Sequence, residues 1–242
     1  MTRGLVVASN GSGPSLRAIP FVTAQGRDPV ELLSDAHRQE LARHAITHIL
    51  PARAIVYRAG SVATSLFIIG DGAVKSFRDL PSGRRRIAAF FFARDLFGLA
   101  EAGHYVNTVQ TLTPSRIYEL EMDTLTGVFQ RSPDIELQFL TKACHVLREA
   151  QHHNIIVGRR DAVGRLAMLL QLLLKQNWLS TGRQEIAIPM TRSDMASYLG
   201  LSLEAVVRAS RRLELQGIVE FIGRHQARII DRRRFDALAA NV

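Results

Sequence analysis

Residues 191–217, TRSDMASYLGLSLEAVVRASRRLELQG, decide the fold of this chain. Apolar side chains recur at helical spacing on both sides of Gly200, so the stretch predicts two short helices joined by a tight turn. Thr191 is placed to cap the first helix, with Asp194 as its acidic partner in a capping box, and Ser202 is placed to cap the second. Gly200 supplies the left-handed conformation that ends the first helix. The stretch is therefore predicted to form a helix-turn-helix.

The second of these helices is predicted to have one apolar side and one basic side. Four side chains are expected to face the core: Val206, Ala209, Leu213 and Leu215. Six others are left for the outer face or the flanks: Leu203, Glu204, Val207, Arg208, Arg211 and Arg212. A helix with arginines on its outer face is suited to enter the major groove of DNA.

The longer segment 186–231, IAIPMTRSDMASYLGLSLEAVVRASRRLELQGIVEFIGRHQARIID, resembles the winged-helix end of the CRP/FNR transcription regulators. A strand pattern precedes the two helices, and a hairpin pattern around residues 223–226 follows them, in the order of the family. The alternative is a helical hairpin that only packs. The flanking strands and the turn glycine favour the winged helix.

Charge is distributed unevenly along the 242 residues, whose formal net charge is +9. Residues 158–242 carry 14 Lys and Arg against 8 Asp and Glu, whereas residues 1–157 carry 17 against 14. A basic C-terminal region indicates a polyanionic partner, and the helix-turn-helix favours double-stranded DNA over a membrane.

Several classes of protein are excluded by what the sequence lacks. The single Cys144 excludes an internal disulfide and a multi-cysteine metal site. No apolar run approaches the roughly 20 residues that span a bilayer, and the N-terminus has no signal-peptide core, so a cytoplasmic protein is expected. Paired carboxylates, a nucleophile elbow and a phosphate-binding glycine loop are also missing, which argues against an enzyme.

The N-terminal half is predicted to be an arm, a helix and a β-roll. Residues 1–27 are rich in Gly, Ser, Pro and Thr and are expected to be a flexible arm. Residues 29–50 are predicted to be helical, with Leu32, Leu33, Leu41, Ala45 and Ile46 on one face. From residue 52 to 122, short strands alternate with glycine turns, which is typical of a small antiparallel barrel. This part resembles the cyclic-nucleotide-binding β-roll of the same family, within a domain of residues 28–130.

A long helix is predicted from Pro133, after a short one over residues 124–130. Its apolar positions follow a heptad pattern, which favours a parallel partner helix from a second subunit. The seam residues are Leu140, Ala143, Leu147, Ala150, Asn154 and Val157, with Phe139, Val146 and His153 widening it on one side. The alternative is a stripe that packs within the chain. In the CRP/FNR family this segment, residues 131–158, is the dimerisation helix, and residues 159–242 form the DNA-binding domain.

Two family cofactors are not expected. Members that bind cyclic AMP carry a Gly-Glu pair followed by an arginine that neutralises the phosphate. Here Leu99 follows Gly98, and no arginine lies between Arg94 and Arg116. The iron–sulfur cluster of the FNR branch needs four cysteines, and this chain has one. The stretch RDLFGLAEAGH resembles the FixK-like branch, whose members have neither the cyclic AMP contacts nor the iron–sulfur cysteines.

Three hypotheses remain for how the activity of the protein is controlled. Cys144 is a candidate redox switch, although a small packed cysteine is the simpler interpretation. A haem ligand can come from His104, His145, His152 or His153. In the third case no ligand binds, and the abundance of the protein sets its activity.

The resemblance also implies which side chains read DNA. The family pattern E-x-x-[S/G]-R falls on Glu204, Val207 and Arg208, which are the expected base-reading residues. Glu204 can accept from cytosine N4, and the Arg208 fork suits guanine, whereas Val207 departs from the pattern and can contact only a thymine methyl. The expected phosphate contacts are Thr191, Arg192, Ser202, Arg211 and Arg212.

The sequence therefore predicts an α+β chain with an N-terminal cyclic-nucleotide-binding-like β-roll, a long dimerisation helix and a C-terminal winged helix-turn-helix. The predicted function is a homodimeric transcription regulator, expected to be an activator, that binds a palindromic site through residues 202–216. It would contact RNA polymerase near residues 178–182 or through the roll. The alternative is a ligand- or redox-sensing module whose basic tail contacts RNA or a protein.

Overall fold

Short strands and glycine turns build a β-roll in the N-terminal half of the chain. The computed structural model describes residues 35–158, 161–181 and 185–240. The strands of the roll are β1 (Ile46–Leu50), β2 (Ile55–Tyr57), β3 (Ser65–Asp71), β4 (Ala73–Asp79), β5 (Arg85–Phe92), β6 (Leu96–Phe97), β7 (Ala100–Glu101), β8 (His104–Tyr105), β9 (Thr108–Thr111) and β10 (Ser115–Glu121). They form two four-stranded sheets, in the orders β1-β10-β3-β6 and β2-β9-β4-β5, and a β7-β8 ribbon. The pairings are antiparallel, as predicted from the turn spacing.

The interior of the roll is apolar and aromatic. Its buried side chains are Phe67, Ile69, Val74, Phe97, Tyr105, Val109 and Ile117. Alternation along β3 sends every second side chain into this core. Strand β4 is instead buried on both faces, with Val74 in the core of the roll and Phe77 in the cluster shared with the C-terminal domain.

The prediction of a helix over residues 29–50 was wrong for residues 46–50. The helix α1 is Asp35–His44, and residues 46–50 form β1, which pairs with β10 from Ile46↔Glu119 to Leu50↔Ser115. β-Branched side chains dominate this segment, and the backbone bonds of β10 decide its conformation. Leu41 is buried as expected. Leu32, Leu33 and the predicted arm of residues 1–27 lie outside the described residues.

Two helices carry the chain from the roll to the C-terminal domain. Helix α2 is Met122–Arg131, and α3 is Pro133–Gly158, a 26-residue helix of about 39 Å at the usual rise. Both were predicted. Ile135 and Phe139 at the start of α3 pack with Leu125 and Val128 of α2, which fixes α3 against the roll.

The C-terminal domain is a winged helix. Its elements are α4 (Ala162–Thr181), β11 (Glu185–Ala187), α5 (Arg192–Leu199), α6 (Leu203–Leu215), β12 (Val219–Ile222), β13 (Gln226–Ile229) and α7 (Arg232–Ala240). The strands form an antiparallel sheet in the order β11-β13-β12. Leu166, Leu169 and Leu170 of α4 and Phe235 of α7 are fully buried beneath α5 and α6. Within the described ranges, no helix has the length and apolar character needed to cross a membrane.

Gly72, in the turn between β3 and β4, should be the least replaceable glycine of the roll. Its φ is +95°, and a Cβ there would meet Ser115 Oγ and also Pro114 O at 2.7 Å. Gly72→Ala is expected to lower the free energy of unfolding by about 2–4 kcal/mol, because backbone strain and a clash with the main chain add. Urea unfolding followed by circular dichroism measures this.

Gly60→Ala is the matched control, because Gly60 also has a positive φ, +81°, but a Cβ there meets nothing within 4 Å. It should lose only about 1–2 kcal/mol, the cost of the left-handed conformation. Equal losses for the two variants would mean that the contact with residues 114–115 does not constrain the turn.

Candidate nucleic-acid interface

The first helix of the helix-turn-helix begins and ends as its sequence predicts. Asp194 N donates to Thr191 Oγ1 (3.1 Å) and Thr191 N donates to Asp194 Oδ2 (3.2 Å), which completes the capping box at the start of α5. Gly200 ends α5 in the left-handed region, with φ 64° and ψ 35°. Leu201 then packs against the core of the domain. These local interactions fix the angle at which the chain enters α6.

The second helix, α6, is amphipathic. Ala205 N donates to the Ser202 hydroxyl (3.2 Å), which caps the helix as predicted. Val206, Ala209 and Leu213 are buried, but Leu215 is 79% exposed, so the expectation that it faces inward was wrong. Two residues along a helix correspond to about 200° of rotation, which turns Leu215 away from the side where Leu213 is buried.

The structure brings the three predicted base-reading residues together on one exposed face. Glu204, Val207 and Arg208 are spaced i, i+3 and i+4 in the first turns of α6, and all three are exposed. The nearby Glu204 backbone N–H and Ser202 hydroxyl, with a smaller effect of Arg208, lower the pKa of the exposed Glu204 carboxyl below its ordinary value. Glu204 is therefore an ionised acceptor at neutral pH.

The residues expected to contact phosphate fall into two groups. Ser202, Arg211 and Arg212 are exposed at the start and along the flanks of α6, and Arg212 lines a groove of about 600 Å³ between α6, α7 and the start of α4. Thr191 is also exposed, although its hydroxyl donates to Asp194 Oδ2 (2.8 Å). These positions surround the base-reading face.

Arg192 is placed differently from the other basic residues. Its guanidinium carbon lies 4.4 Å from the centre of the Phe221 ring in β12, and the side chain is half-buried. Burial lowers the pKa of Arg192, and Glu214 opposes that shift. Arg192 thus joins α5 to the wing, and a phosphate contact from it stays a prediction.

The wing adds a candidate that the sequence analysis did not name. Arg224 is exposed at the tip of the β12–β13 hairpin, next to Gly223, whose φ is +66°. Arg228 on β13 is instead held by Glu185 (3.4 Å) and Glu220 (3.6 Å). The sequence could have indicated this candidate, because an arginine beside a turn glycine lies at the tip of a hairpin and projects into solvent.

The long helix α3 has two different sides. Leu140 and Leu147 are each 61% exposed, Ala150 and Asn154 are exposed, and Ala143 and Val157 are half-buried. These six residues form the predicted seam, called the α3 seam below.

The residues that were expected to widen the α3 seam are placed differently. Phe139 contacts Phe129 edge-on at 5.3 Å, and His153 stacks on Tyr198 at 4.0 Å. Val146 is half-buried. Phe139 and His153 therefore pack within the chain, and that part of the prediction was wrong.

Comparisons with known proteins agree with this arrangement. Two family models match the chain: "Cyclic nucleotide-binding domain" over residues 47–132 and "Crp-like helix-turn-helix domain" over residues 164–238. The transcriptional activatory protein AadR of Rhodopseudomonas palustris is 26% identical, over 86% of this chain and 87% of AadR. The nitrogen fixation regulation protein FixK of Rhizobium meliloti is 28% identical, over 76% of this chain and 81% of FixK. The chain belongs to the CRP/FNR family of transcription regulators.

Among solved structures of CRP/FNR proteins, FixK2 from Bradyrhizobium japonicum is similar with a TM-score of 0.75 at 27% identity, over 82% of this chain and 98% of FixK2. The comparisons confirm the predicted order of domains, the FixK-like resemblance and the function of a DNA-binding transcription regulator. The named relatives are regulators and not enzymes, which agrees with the expected class of protein.

In this CRP/FNR chain, aromatic rings occupy the interior of the roll. Tyr57 stacks on Tyr105 at 3.9 Å, and Phe67 stacks on Phe97 at 5.3 Å. The Tyr105 hydroxyl donates to Ser65 O (2.8 Å), and burial, with the neighbouring Tyr105, raises the pKa of Tyr57 well above its ordinary value. The expectation that cyclic AMP does not bind stays a prediction, as does the one for an iron–sulfur cluster.

The candidate sensing residues do not form a common site among the described residues. Cys144 is exposed on α3, and the His104 ring contacts Ala102 O (3.0 Å) through Nδ1. The side chains of His145 and His152 lie outside the described residues. In the part of the chain that the structure describes, no group of three or more His, Cys, Asp or Glu could hold a metal ion. The redox and haem hypotheses stay predictions.

Substitution of Glu204 or Arg208 should change which DNA is bound. Glu204→Ala or Arg208→Ala is expected to cost about 1–3 kcal/mol of binding free energy and to relax specificity at one position of each half-site, because a base-edge hydrogen bond is lost. Selection of bound DNA from a random library measures this. An unchanged motif in either variant would remove that residue from the base-reading set.

Substitution of Arg212 should weaken binding without changing its specificity. A lost phosphate contact affects all sequences alike, so Arg212→Ala is expected to reduce the slope of log K against log salt by about one per protomer. Titrations by fluorescence anisotropy at several salt concentrations measure the slope. Arg116→Ala, an exposed arginine on β10, is the control and should keep the wild-type slope. A wild-type slope for Arg212→Ala would contradict a phosphate contact.

Proposed function

We propose that this protein is a homodimeric activator of transcription that reads a palindromic DNA site through α6 of each subunit. The observation that carries the proposal is the pairing of two surfaces in one chain. One is the exposed base-reading face of Glu204, Val207 and Arg208, and the other is the exposed α3 seam.

The α3 seam is suited to a second copy of the same helix. Leu140 and Leu147 lie seven residues apart on one stripe, and their 61% exposure leaves most of each side chain in water. Burying a leucine stabilises by about 1.5–3 kcal/mol, so a parallel partner helix that covers Leu140 and Leu147 would stabilise the dimer. Asn154 at a seam position would fix the register of the pair at some cost in stability.

A dimer of this kind reads DNA in a defined way. The two-fold axis along the α3 pair relates the two copies of α6, so the bound site is a palindrome. Its half-sites would be centred about 34–36 Å apart, one helical turn of DNA. Ser202, Arg211 and Arg212 would supply phosphate contacts around each α6, and the exposed Arg224 would supply one from the wing.

The proposal also includes activation of transcription and a cytoplasmic location. AadR is named a transcriptional activatory protein and FnrA of Stutzerimonas stutzeri a transcriptional activator protein, and we extend activation to this chain by similarity. An activator would contact RNA polymerase, near residues 178–182 or through the roll. A cytoplasmic location follows from the proposed ligand, because chromosomal DNA lies there in bacteria.

Leu147→Glu tests the proposal at the α3 seam. Two buried glutamates facing each other should separate the subunits, so the variant is expected to sediment as a monomer. Its affinity for a full palindrome should fall by about 10²-fold or more, because the second half-site is no longer bound intramolecularly. Its affinity for a single half-site should match that of the wild type.

Ile49→Glu is the matched control, because Ile49 is 79% exposed on β1, away from α3. It adds the same charge and should remain a dimer with wild-type affinity. The proposal fails if Leu147→Glu sediments as a dimer and binds the palindrome like the wild type.

A further inference from the structure

The first helix of the helix-turn-helix also contacts the β-roll. Lys75 Nζ, on β4, donates to Asp194 Oδ1, on α5, at 2.7 Å. The two side chains are only 12% and 11% exposed, so this ion pair is largely shielded from water. Asp194 keeps its capping bonds to Thr191 through the other carboxylate oxygen. The pair therefore joins the start of α5 to the roll without replacing the cap.

A hydrogen-bonded contact lies one turn further along α5. Ser197 Oγ accepts from Ile87 N (3.0 Å) and donates to Arg85 O (2.7 Å). Both backbone groups belong to β5, which is the edge strand of its sheet. An edge strand presents N–H and C=O groups that need a partner. The Ser197 hydroxyl satisfies one of each, as a neighbouring strand would.

Aromatic and apolar side chains fill the space between these polar contacts. Tyr198 on α5 contacts Phe90 of β5, with ring centres 5.0 Å apart, and stacks on His153 of α3. His153 Nε2 also lies 2.7 Å from Tyr198 O. Phe77, Ile87 and Phe90 belong to the same buried cluster as the core of the winged helix. The roll, α3 and α5 thus share one core.

This contact leaves the DNA-reading surface free. Asp194, Ser197 and Tyr198 lie on the side of α5 that faces the roll. Met195 and Leu199 are buried in the cluster that also holds Val206 and Leu213 of α6. The roll therefore contacts the helix-turn-helix through α5, and the base-reading face of α6 stays exposed.

We propose that Lys75 and Ser197 are positioning residues that fix the orientation of the helix-turn-helix on the roll and thereby set the half-site spacing that the dimer accepts. The inference rests on the proposed dimeric function. Two binding units held at a fixed separation have a high effective concentration for one spacing and a low one for others. Loosening their attachment lowers the affinity at the best spacing and broadens the range of spacings tolerated.

The test compares the two positioning residues on a set of DNA duplexes. Each duplex carries two half-sites, obtained by selection, whose separation is the optimum or differs from it by one to three base pairs. Dissociation constants of the full-length dimer are measured by fluorescence anisotropy. Lys75→Met removes the charge but keeps the apolar stem, and Ser197→Ala removes the hydroxyl with a residue that favours helix.

Both variants are expected to bind the optimal duplex several-fold more weakly than the wild type and to discriminate several-fold less between spacings. Affinity for a single half-site and the salt slope should stay at wild-type values, because neither residue lies on the base-reading face. Lys175→Met is the matched control for Lys75→Met, since it removes one exposed lysine on α4 and should keep the wild-type spacing profile. Thermal unfolding checks that the variants are folded.

The outcomes separate the inference from the proposed function. A wild-type protein without a preferred spacing would overturn the dimeric function and this inference with it. A preferred spacing that both variants keep unchanged would overturn the inference alone. A salt slope reduced by about one in Lys75→Met would also overturn it, because Lys75 would then contact DNA directly.

Discussion

The carboxylate of Asp194 joins the start of the helix-turn-helix to the roll. One oxygen accepts from the backbone and hydroxyl of Thr191, and the other accepts from Lys75 of the roll. A buried carboxylate without partners would cost several kcal/mol, so each of the three donors contributes to holding it in place. The start of the helix-turn-helix and its attachment to the roll therefore depend on the same side chain.

This arrangement explains how a roll filled with aromatic rings can still serve a DNA-binding protein. Tyr57, Phe67, Phe97 and Tyr105 fill the interior of the roll with aromatic rings. Helix α3 packs against the roll in the buried cluster that holds Phe139 and Leu120, and α5 contacts β5 through Ser197 and Tyr198. The roll therefore supports both α3 and the helix-turn-helix, and each keeps one exposed side. A dimer formed through the first would present two copies of the second to DNA.

The sequence predicted well those features that local interactions determine. The caps at Thr191 and Ser202 and the turn at Gly200 depend on neighbouring residues, and each was predicted at the residue where it occurs. Strand β1 was missed because its conformation depends on β10, some seventy residues away, and its apolar spacing also fits a helix. Leu215 was misplaced because apolar character alone does not determine which side of α6 a residue occupies. The contact between Lys75 and Asp194 joins residues 119 positions apart, and no local pattern indicates it. Arg224 was overlooked although it lies beside a turn glycine in the predicted hairpin.

Selection of bound DNA by the full-length protein from a random library tests the central claim most directly. A symmetric dimer reading through α6 predicts a palindromic motif whose half-sites are centred about 10–10.5 base pairs apart. Recovery of a single asymmetric site, or of no enriched sequence at all, would contradict it.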